Sequence, residues 1–157
     1  MMKESQRVKS LFAKQYDGDC WLGVNFQEKL AQININQATY KFSTETNSIW
    51  EILNHLISWR EVVLASLPKN TYSSPEDNFF QAIIDPSEAE WLKTLNRFRN
   101  SQQGWLEYLS NLDDSIFEKQ VDSKNYNYYE LIHGILHHDI YHLGQISLLV
   151  RLTTEVS

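Results

Sequence analysis

Histidine spacing is the first feature of this sequence that could support chemistry. Four of the five histidines form two pairs with a spacing of four residues, His133 with His137 and His138 with His142. If this segment is helical, each residue turns by about 100°, so the two pairs point about 140° apart. The residues that share the side of the second pair are mainly apolar: Leu131, Ile135, Gln145, Ile146 and Leu149. We therefore expect His138 and His142 to face the core.

A metal site is the chemistry that such a pair can support. Imidazoles one helical turn apart can reach a common point, so both rings can ligate one ion. The fifth histidine, His55, lies on the apolar side of a second periodic segment and is the natural third ligand. The sequence therefore predicts one divalent metal ion bound by His55, His138 and His142, with at least one coordination position open to water or substrate.

Each of these histidines also has a purely structural interpretation. An inward histidine is often simply hydrogen-bonded in the core, and the pair His133 and His137 fits a solvated helix face. The segment from His138 to His142 also resembles the H-E-x-x-H motif of zinc proteases, with Asp139 in place of the catalytic glutamate. Aspartate is one methylene shorter, and Glu155 is the sole carboxylate that follows the motif. We therefore reject a protease.

Helices must hold these histidines in place, and the sequence marks where the helices begin. The capping-box pattern, an acceptor side chain followed three residues later by Glu, starts at Ser48, Ser87 and Asn127. The predicted elements are helices over 47–67, 87–110 and 127–152, weaker helices over 4–16 and 24–34, and a crossover loop over 69–85. With only 5 glycines and 3 prolines, the chain has little turn chemistry for a β fold. We predict an all-α fold, a four-helix bundle with a long crossover connection, in a single domain of residues 1–157.

Charge and hydropathy exclude several classes of function. The formal net charge is −6 and the 14 Lys and Arg residues are scattered, which argues against a nucleic-acid partner. No apolar run approaches the roughly 20 residues that cross a bilayer, so no membrane partner is expected. A single cysteine, Cys20, and a polar N-terminal stretch without a secretory apolar region indicate a cytoplasmic location.

Two segments of the chain resemble a known family. The first, Asn47 to Ile57, contains His55, and the second, Leu136 to Ile146, contains the pattern H-x-x-Y-H-x-G-Q-I. The turn from Asp17 to Asn25 is similar as well, so the likeness extends over nearly the whole chain. These residues resemble the DinB-like superfamily of bacterial metal-dependent proteins.

The resemblance implies a fold, a metal and a class of partner. The implied fold is a four-helix bundle with one long crossover, with a homodimer as the expected assembly. The implied metal is usually zinc or nickel, held by His55, His138 and His142. Some members are thiol S-transferases that join a low-molecular-weight thiol to an electrophile, and others are isomerases or hydrolases of thiol adducts. The expected partner is therefore a small thiol or thiol adduct.

Residues beside the histidines have two interpretations each. Gln145 follows His142 by about one turn, and it could hydrogen-bond a bound ligand or satisfy a neighbouring buried group. Tyr141 could donate a proton to a substrate, contact it, or pack with its hydroxyl tethered. We keep Gln145 and Tyr141 as candidate catalytic residues. Glu51 could orient the ring of His55, but its place in the capping box favours the cap.

Two further expectations concern packing. Aromatic residues at helical spacing are usually core, so the tryptophans are expected there: Trp21, Trp50, Trp59, Trp91 and Trp105. A glycine in mid-helix costs about 1 kcal/mol relative to alanine, so Gly144 suggests the close approach of another helix.

Three functional hypotheses follow from the sequence. The leading one is a metal-dependent enzyme, a thiol S-transferase or a hydrolase, acting through the three-histidine site. The second is a non-catalytic metal-binding bundle that acts as a ligand-binding or interaction module. The third is a metal-free helical interaction protein with packed histidines. Sequence leaves open which is correct, because fold alone does not imply activity.

Overall fold

Helices form nearly all of the regular structure of this protein. The computed structural model describes residues 2–69, 72–122 and 124–154. The helices are α1 (Glu4–Tyr16), α2 (Phe26–Leu30), α3 (Ile35–Thr39), α4 (Ile49–Ser66), α5 (Glu88–Asn111) and α6 (Tyr128–Thr154), with a 3₁₀ helix at Asp114–Glu118. Within the described ranges, the β structure amounts to one isolated bridge between Gln120 and Asn127. The predicted all-α class is confirmed.

The three predicted helix starts are confirmed, and two of them have the full capping box. At the third, Ser87 Oγ accepts the Glu90 N–H (3.4 Å), but the Ser87 N–H donates to Asp85 instead. Before α4, the Glu51 N–H donates to Ser48 Oγ (3.2 Å), and the Ser48 N–H donates back to the Glu51 carboxylate (2.7 Å). Asn127 and Glu130 make the same reciprocal pair before α6, at 3.0 and 2.9 Å. Each pair satisfies two backbone donors that would otherwise lack an intrahelical acceptor. These caps determine where the two histidine-bearing helices begin.

The four longer helices pack as a bundle. Helix α1 packs on α5, α5 on α4, α4 on α6, and α6 again on α1. The connection from α4 to α5 is the predicted crossover, and its described residues 67–69 and 72–87 contain turns and extended chain without a helix or strand. Residues 70 and 71 of the predicted loop lie outside the described residues. The four-helix bundle with a long crossover is thus the observed architecture.

The predicted helix over 24–34 is wrong in its extent, since α2 (Phe26–Leu30) fills only part of this range and α3 (Ile35–Thr39) begins after it. Asn25 caps α2 by accepting the Glu28 N–H (2.9 Å), and α2 ends at Leu30. Asn34 then starts a new helix by accepting the Gln37 N–H (2.9 Å). Asparagine at position 34 favours a cap over a helix interior because its side chain competes for backbone donors.

A buried polar layer divides the core of the bundle in two. It consists of Arg60 on α4, Gln102 on α5 and Asp139 on α6. Each is flanked along its helix by apolar residues of two separate clusters, Ile57, Phe98 and Leu143 in one and Val63, Trp105 and Leu136 in the other. One member of this layer, Asp139, directly follows His138 in the sequence, so the layer adjoins the histidines along α6.

Two packing expectations are wrong at particular residues. Trp50, Trp91 and Trp105 are buried as expected, but Trp21 is 97% exposed in the turn after α1. A Cβ added to Gly144 would have no neighbour within 4 Å among the described residues, so none of the described helices approaches it closely. In the described part of the chain, no helix combines the length and the apolar character that crossing a membrane requires.

Candidate metal centre

Three histidines from two helices meet at one point in the bundle. The Nε2 atom of His55, on α4, lies 2.9 Å from Nε2 of His138 on α6. The same atom of His138 lies 3.2 Å from Nε2 of His142. His55 and His142 are buried and His138 is half-buried. The fold thus brings together the three residues that sequence spacing had selected as ligands, and together they could hold a metal ion.

Hydrogen bonds at the far side of two rings decide which nitrogen carries the proton. His55 Nδ1 lies 2.6 Å from the carbonyl oxygen of Asn78, so it must donate to that oxygen. His142 Nδ1 lies 2.6 Å from Gln145 Oε1 and donates in the same way. A neutral imidazole with its proton on Nδ1 has a lone pair on Nε2. Both rings therefore direct a lone pair at the centre of the cluster.

This donor set fits a bound cation. Two lone pairs, from His55 and His142, face the Nε2 atom of His138, and a single proton on that atom could satisfy one of them. Three neutral imidazole nitrogens are ligands suited to zinc, nickel and related divalent ions. The three Nε2 atoms would hold such an ion, with Asn78 and Gln145 fixing two of the rings from behind.

The electrostatics of the cluster keep the rings neutral. Burial, together with the nearby rings of His142 and His55, lowers the pKa of His138 to about 3. Burial also lowers the pKa of His142 to about 4, although the bond to Gln145 opposes the shift. The pKa of His55 is lowered too, again by burial and against the bond to Asn78. Neutral imidazole is the form that ligates a metal.

A turn of the crossover loop covers His55. Asn78 and Phe79 adopt positive φ angles of 51° and 64°, and the Asp77 carboxylate accepts the Phe79 N–H (2.9 Å). Besides its carbonyl contact to His55, Asn78 accepts a hydrogen bond from Trp59 Nε1 through its side chain (2.9 Å). A left-handed conformation is costly for phenylalanine and is maintained where tertiary contacts require it. The backbone turn thus serves to present the Asn78 carbonyl to His55.

Phe80 also packs against His55. Its ring stacks on the His55 ring with centroids 4.0 Å apart and planes inclined by 8°. Sequence reasoning missed the roles of both Asn78 and Phe80. The only sequence signal was the Asp77-Asn78 pair, which is typical of a left-handed turn, and it did not indicate that the turn reaches α4.

The two candidate catalytic residues, Gln145 and Tyr141, both lie beside the cluster but differ in their burial and contacts. Gln145 is half-buried and contacts His142 directly, so in this structure it orients a predicted ligand. Tyr141 is 64% exposed, with its ring centroid 5.0 Å from that of His142. Both line a cavity of about 560 Å³ that reaches all three histidines, which we call the metal-side pocket. Further lining residues are Thr46, Asn47, Ile52, Asn78, Phe80, Leu148 and Leu149.

The structure separates the remaining candidates from the cluster. The Glu51 carboxylate caps α4 and pairs with Lys41 (2.9 Å), so the cap interpretation is confirmed. Asp139 is buried against Arg60 (3.6 Å). On the other face of α6, His137 is exposed and half-buried His133 donates from Nδ1 to the Tyr129 carbonyl oxygen (2.9 Å).

Comparison with known proteins bears on the same residues. A sequence model of the DinB superfamily matches residues 24–146, a range that contains His55, His138 and His142. Comparison with curated proteins and with solved structures returns no match. Because the family match covers well over half of the chain, this protein belongs to the DinB superfamily.

Proposed function

We propose that this protein is a metal-dependent enzyme that acts on a small thiol or thiol adduct, as a thiol S-transferase or a hydrolase. The observation that carries the proposal is the convergence of the Nε2 atoms of His55, His138 and His142, separated by 2.9 and 3.2 Å along the cluster. Two of these rings have their Nδ1 protons held by oxygen acceptors, which leaves Nε2 free to bind an ion.

The chemistry of the proposal combines a bound ion with an adjacent cavity. When bound, a divalent ion such as zinc or nickel lowers the pKa of a thiol or a water at its open position. The metal-side pocket, of about 560 Å³, has the size of a small-molecule site. Its Thr46, Asn47 and Tyr141 side chains offer hydrogen bonds to a polar substrate, while Ile52 and Leu149 exclude water.

Each residue in the pocket has a distinct proposed role. The three histidines hold the ion, and Gln145 keeps the His142 ring in its binding orientation by accepting the Nδ1 proton. Tyr141, which is 64% exposed at the rim, contacts the incoming substrate and can supply a proton through its hydroxyl. Phe80 keeps water from the outer face of His55 by stacking on it.

Metal content tests the site itself. We expect tag-free protein to contain, or take up, about one zinc or nickel ion per chain, measured by elemental mass spectrometry. The variant His138→Ala/His142→Ala should lose that ion. The variant His133→Ala/His137→Ala is the matched control, because it removes an equally spaced pair from the other face of the same helix. Parent protein that neither contains nor takes up metal would refute the proposal.

Turnover assays with the metal-loaded protein separate the reaction classes. Conjugation of a small thiol to monochlorobimane that depends on the metal would support a transferase. Hydrolysis of an S-acyl thiol, without conjugation, would support a hydrolase. A protein with one bound metal and neither activity would instead be a non-catalytic metal-binding module.

A further inference from the structure

A second cavity also reaches the cluster through His138. It has a volume of about 530 Å³, and its lining includes Trp59, Tyr72, Tyr126, Leu131 and Gly134. We call it the apolar pocket. It shares His138 and Asn78 with the metal-side pocket but reaches neither His55 nor His142. Its volume suits a small organic molecule.

The walls of the apolar pocket are mostly hydrocarbon and aromatic. Trp59 provides an aromatic surface, and Val63, Leu131 and Ile135 provide aliphatic ones. Apolar walls favour an apolar occupant because binding removes both surfaces from water. Aromatic side chains also stack on flat rings in offset or edge-on geometry. The lining therefore selects a planar, apolar molecule.

Two tyrosine hydroxyls in the apolar pocket determine which polar group a bound molecule should carry. Tyr72 and Tyr126 hydrogen-bond to each other through their hydroxyl groups. That bond uses one of the two hydroxyl protons, so the other is available to an acceptor on a bound molecule. Burial and the contact with Tyr126 raise the pKa of Tyr72, which keeps the Tyr72 hydroxyl protonated.

Charge around the apolar pocket disfavours an ionic occupant. Glu130 is the only ionisable carboxyl or amine among the described lining residues, and its carboxylate already accepts the Asn127 N–H (2.9 Å) at the start of α6. Lys124 places its ammonium group 5.1 Å from the centroid of the Tyr72 ring and is not part of the lining. An anion would find no paired cation in the pocket itself, and burying an unpaired charge is costly.

Gly134 is an exposed residue in the lining of the apolar pocket. It lies one helical turn before His138 on α6, lines the apolar pocket, and would have no neighbour within 4 Å if it carried a Cβ. Glycine is unfavourable in the middle of a helix, and no described neighbour packs close enough to require it here. Because the position is exposed and lines the pocket, a longer side chain there would fill space at the pocket and would not enter the core.

We infer that the apolar pocket is a second binding site, which takes an uncharged, planar aromatic molecule with a hydrogen-bond acceptor and holds it beside His138. The assignment of that molecule as the electrophilic partner of the thiol rests on the proposed function. Its binding does not depend on that function, because Trp59, the tyrosine pair and Gly134 are not metal ligands.

Nile red is a suitable probe because it is uncharged, flat and aromatic, carries a carbonyl acceptor, and fluoresces more strongly in apolar surroundings. We expect saturable binding to the purified full-length protein. Gly134→Leu should weaken this binding by about tenfold or more, since the leucine would occupy the space of the probe. Gly134→Ala, which adds only a methyl group, should retain binding.

Gly144→Leu is the matched control. Gly144 is an exposed glycine of the same helix, also has no neighbour within 4 Å of an added Cβ, and lies outside both pockets. This variant should bind Nile red as the parent does, and thermal melting should show that both leucine variants are folded. No binding by the parent, or equal binding by folded Gly134→Leu, would overturn the inference.

Metal content, measured on the same samples, separates the two proposals. Nile red binding that Gly134→Leu abolishes, in a protein that takes up no metal, would support the apolar site and refute the metal-dependent enzyme. One bound metal ion per chain without Nile red binding would refute the apolar site and leave the metal centre standing.

Discussion

At the scale of single residues, the orientation of each imidazole decides whether the cluster can hold a metal. His55 and His142 each donate from Nδ1 to an oxygen at 2.6 Å, which places a lone pair on Nε2. His138 differs, since its buried Nδ1 has no hydrogen-bond partner among the described residues. The protein therefore fixes the Nδ1 atoms of His55 and His142 by hydrogen bonds. The His138 ring has no such bond at Nδ1 and packs against the rings of Trp59, His55 and His142.

Gln145 is the position where this orientation can be tested. We expect Gln145→Leu to weaken metal binding by about tenfold or more, because it removes the acceptor for the His142 Nδ1 proton. Gln145→Glu retains an acceptor and should keep affinity close to that of the parent. Competition with a chelator of known affinity measures both.

The comparison of the two Gln145 variants distinguishes positioning from general packing. If glutamate weakened metal binding as much as leucine does, the oxygen acceptor would not be what matters. If leucine left the affinity unchanged, the contact with His142 would have no role in holding the ring.

At the scale of helices, the buried polar layer aligns the two helices that carry the three clustered histidines. Arg60 on α4 is enclosed between the rings of Phe12 and Phe98, at 5.8 and 5.0 Å from their centroids. Its guanidinium donates to Gln102 on α5 and pairs with Asp139 on α6 at 3.6 Å. Because Asp139 directly follows His138, this contact sets the register of α6 against α4.

Removal of the Arg60 charge should destabilise the fold strongly. We expect Arg60→Met to lower the free energy of unfolding by about 3 kcal/mol or more, because it leaves the Asp139 carboxyl buried without its partner. The matched control is Arg97→Met, which breaks the ion pair of Arg97 with Glu61 between α5 and α4, where both side chains are nearly half exposed. That change should cost less than about 1 kcal/mol.

Urea unfolding at neutral pH measures both variants. Equal losses of stability for Arg60→Met and Arg97→Met would show that the buried layer contributes no more than a surface ion pair.

At the scale of the whole molecule, folding and proton binding are coupled through the histidine cluster. In the folded protein the pKa of His138 is about 3 and that of His142 about 4, against an ordinary value of 6.5. Below that value the unfolded chain binds protons that the folded chain excludes, so acid favours unfolding. Asp139 acts in the opposite sense, because burial raises its pKa from 3.8 to about 6 and the folded state takes up its proton first.

The histidines should dominate this balance in metal-free protein. The pKa of His55 is lowered as well, so three groups oppose the one contribution of Asp139. We expect the free energy of unfolding to fall as the pH is lowered from about 6.5 towards about 4. Urea unfolding of chelator-treated protein at a series of pH values tests this, and His138→Ala/His142→Ala should show a flatter profile. Stability that rises over this range in the parent would contradict it.

Local sequence signals determined most of the elements and which three histidines come together in the cluster. Capping residues such as Ser48 and Asn127 act within a few residues of themselves, so the starts of the histidine-bearing helices could be predicted from the sequence. Helical periodicity likewise placed His138 and His142 on the inward face. The same local rules failed at the end of the predicted helix over 24–34, because α2 already ends at Leu30 and Asn34 caps a separate helix.

Tertiary structure alone decided what surrounds the three clustered histidines. The Asn78 carbonyl meets His55 across 23 residues of sequence, and Arg60 meets Asp139 across a still longer separation. The apolar pocket likewise combines Trp59, Tyr72, Tyr126 and other residues from separate parts of the chain. No local propensity encodes such contacts, because they depend on how helices and the crossover loop pack after they form. The sequence by itself therefore determined the helices and the three histidines, and packing decided which atoms orient them and which cavities they face.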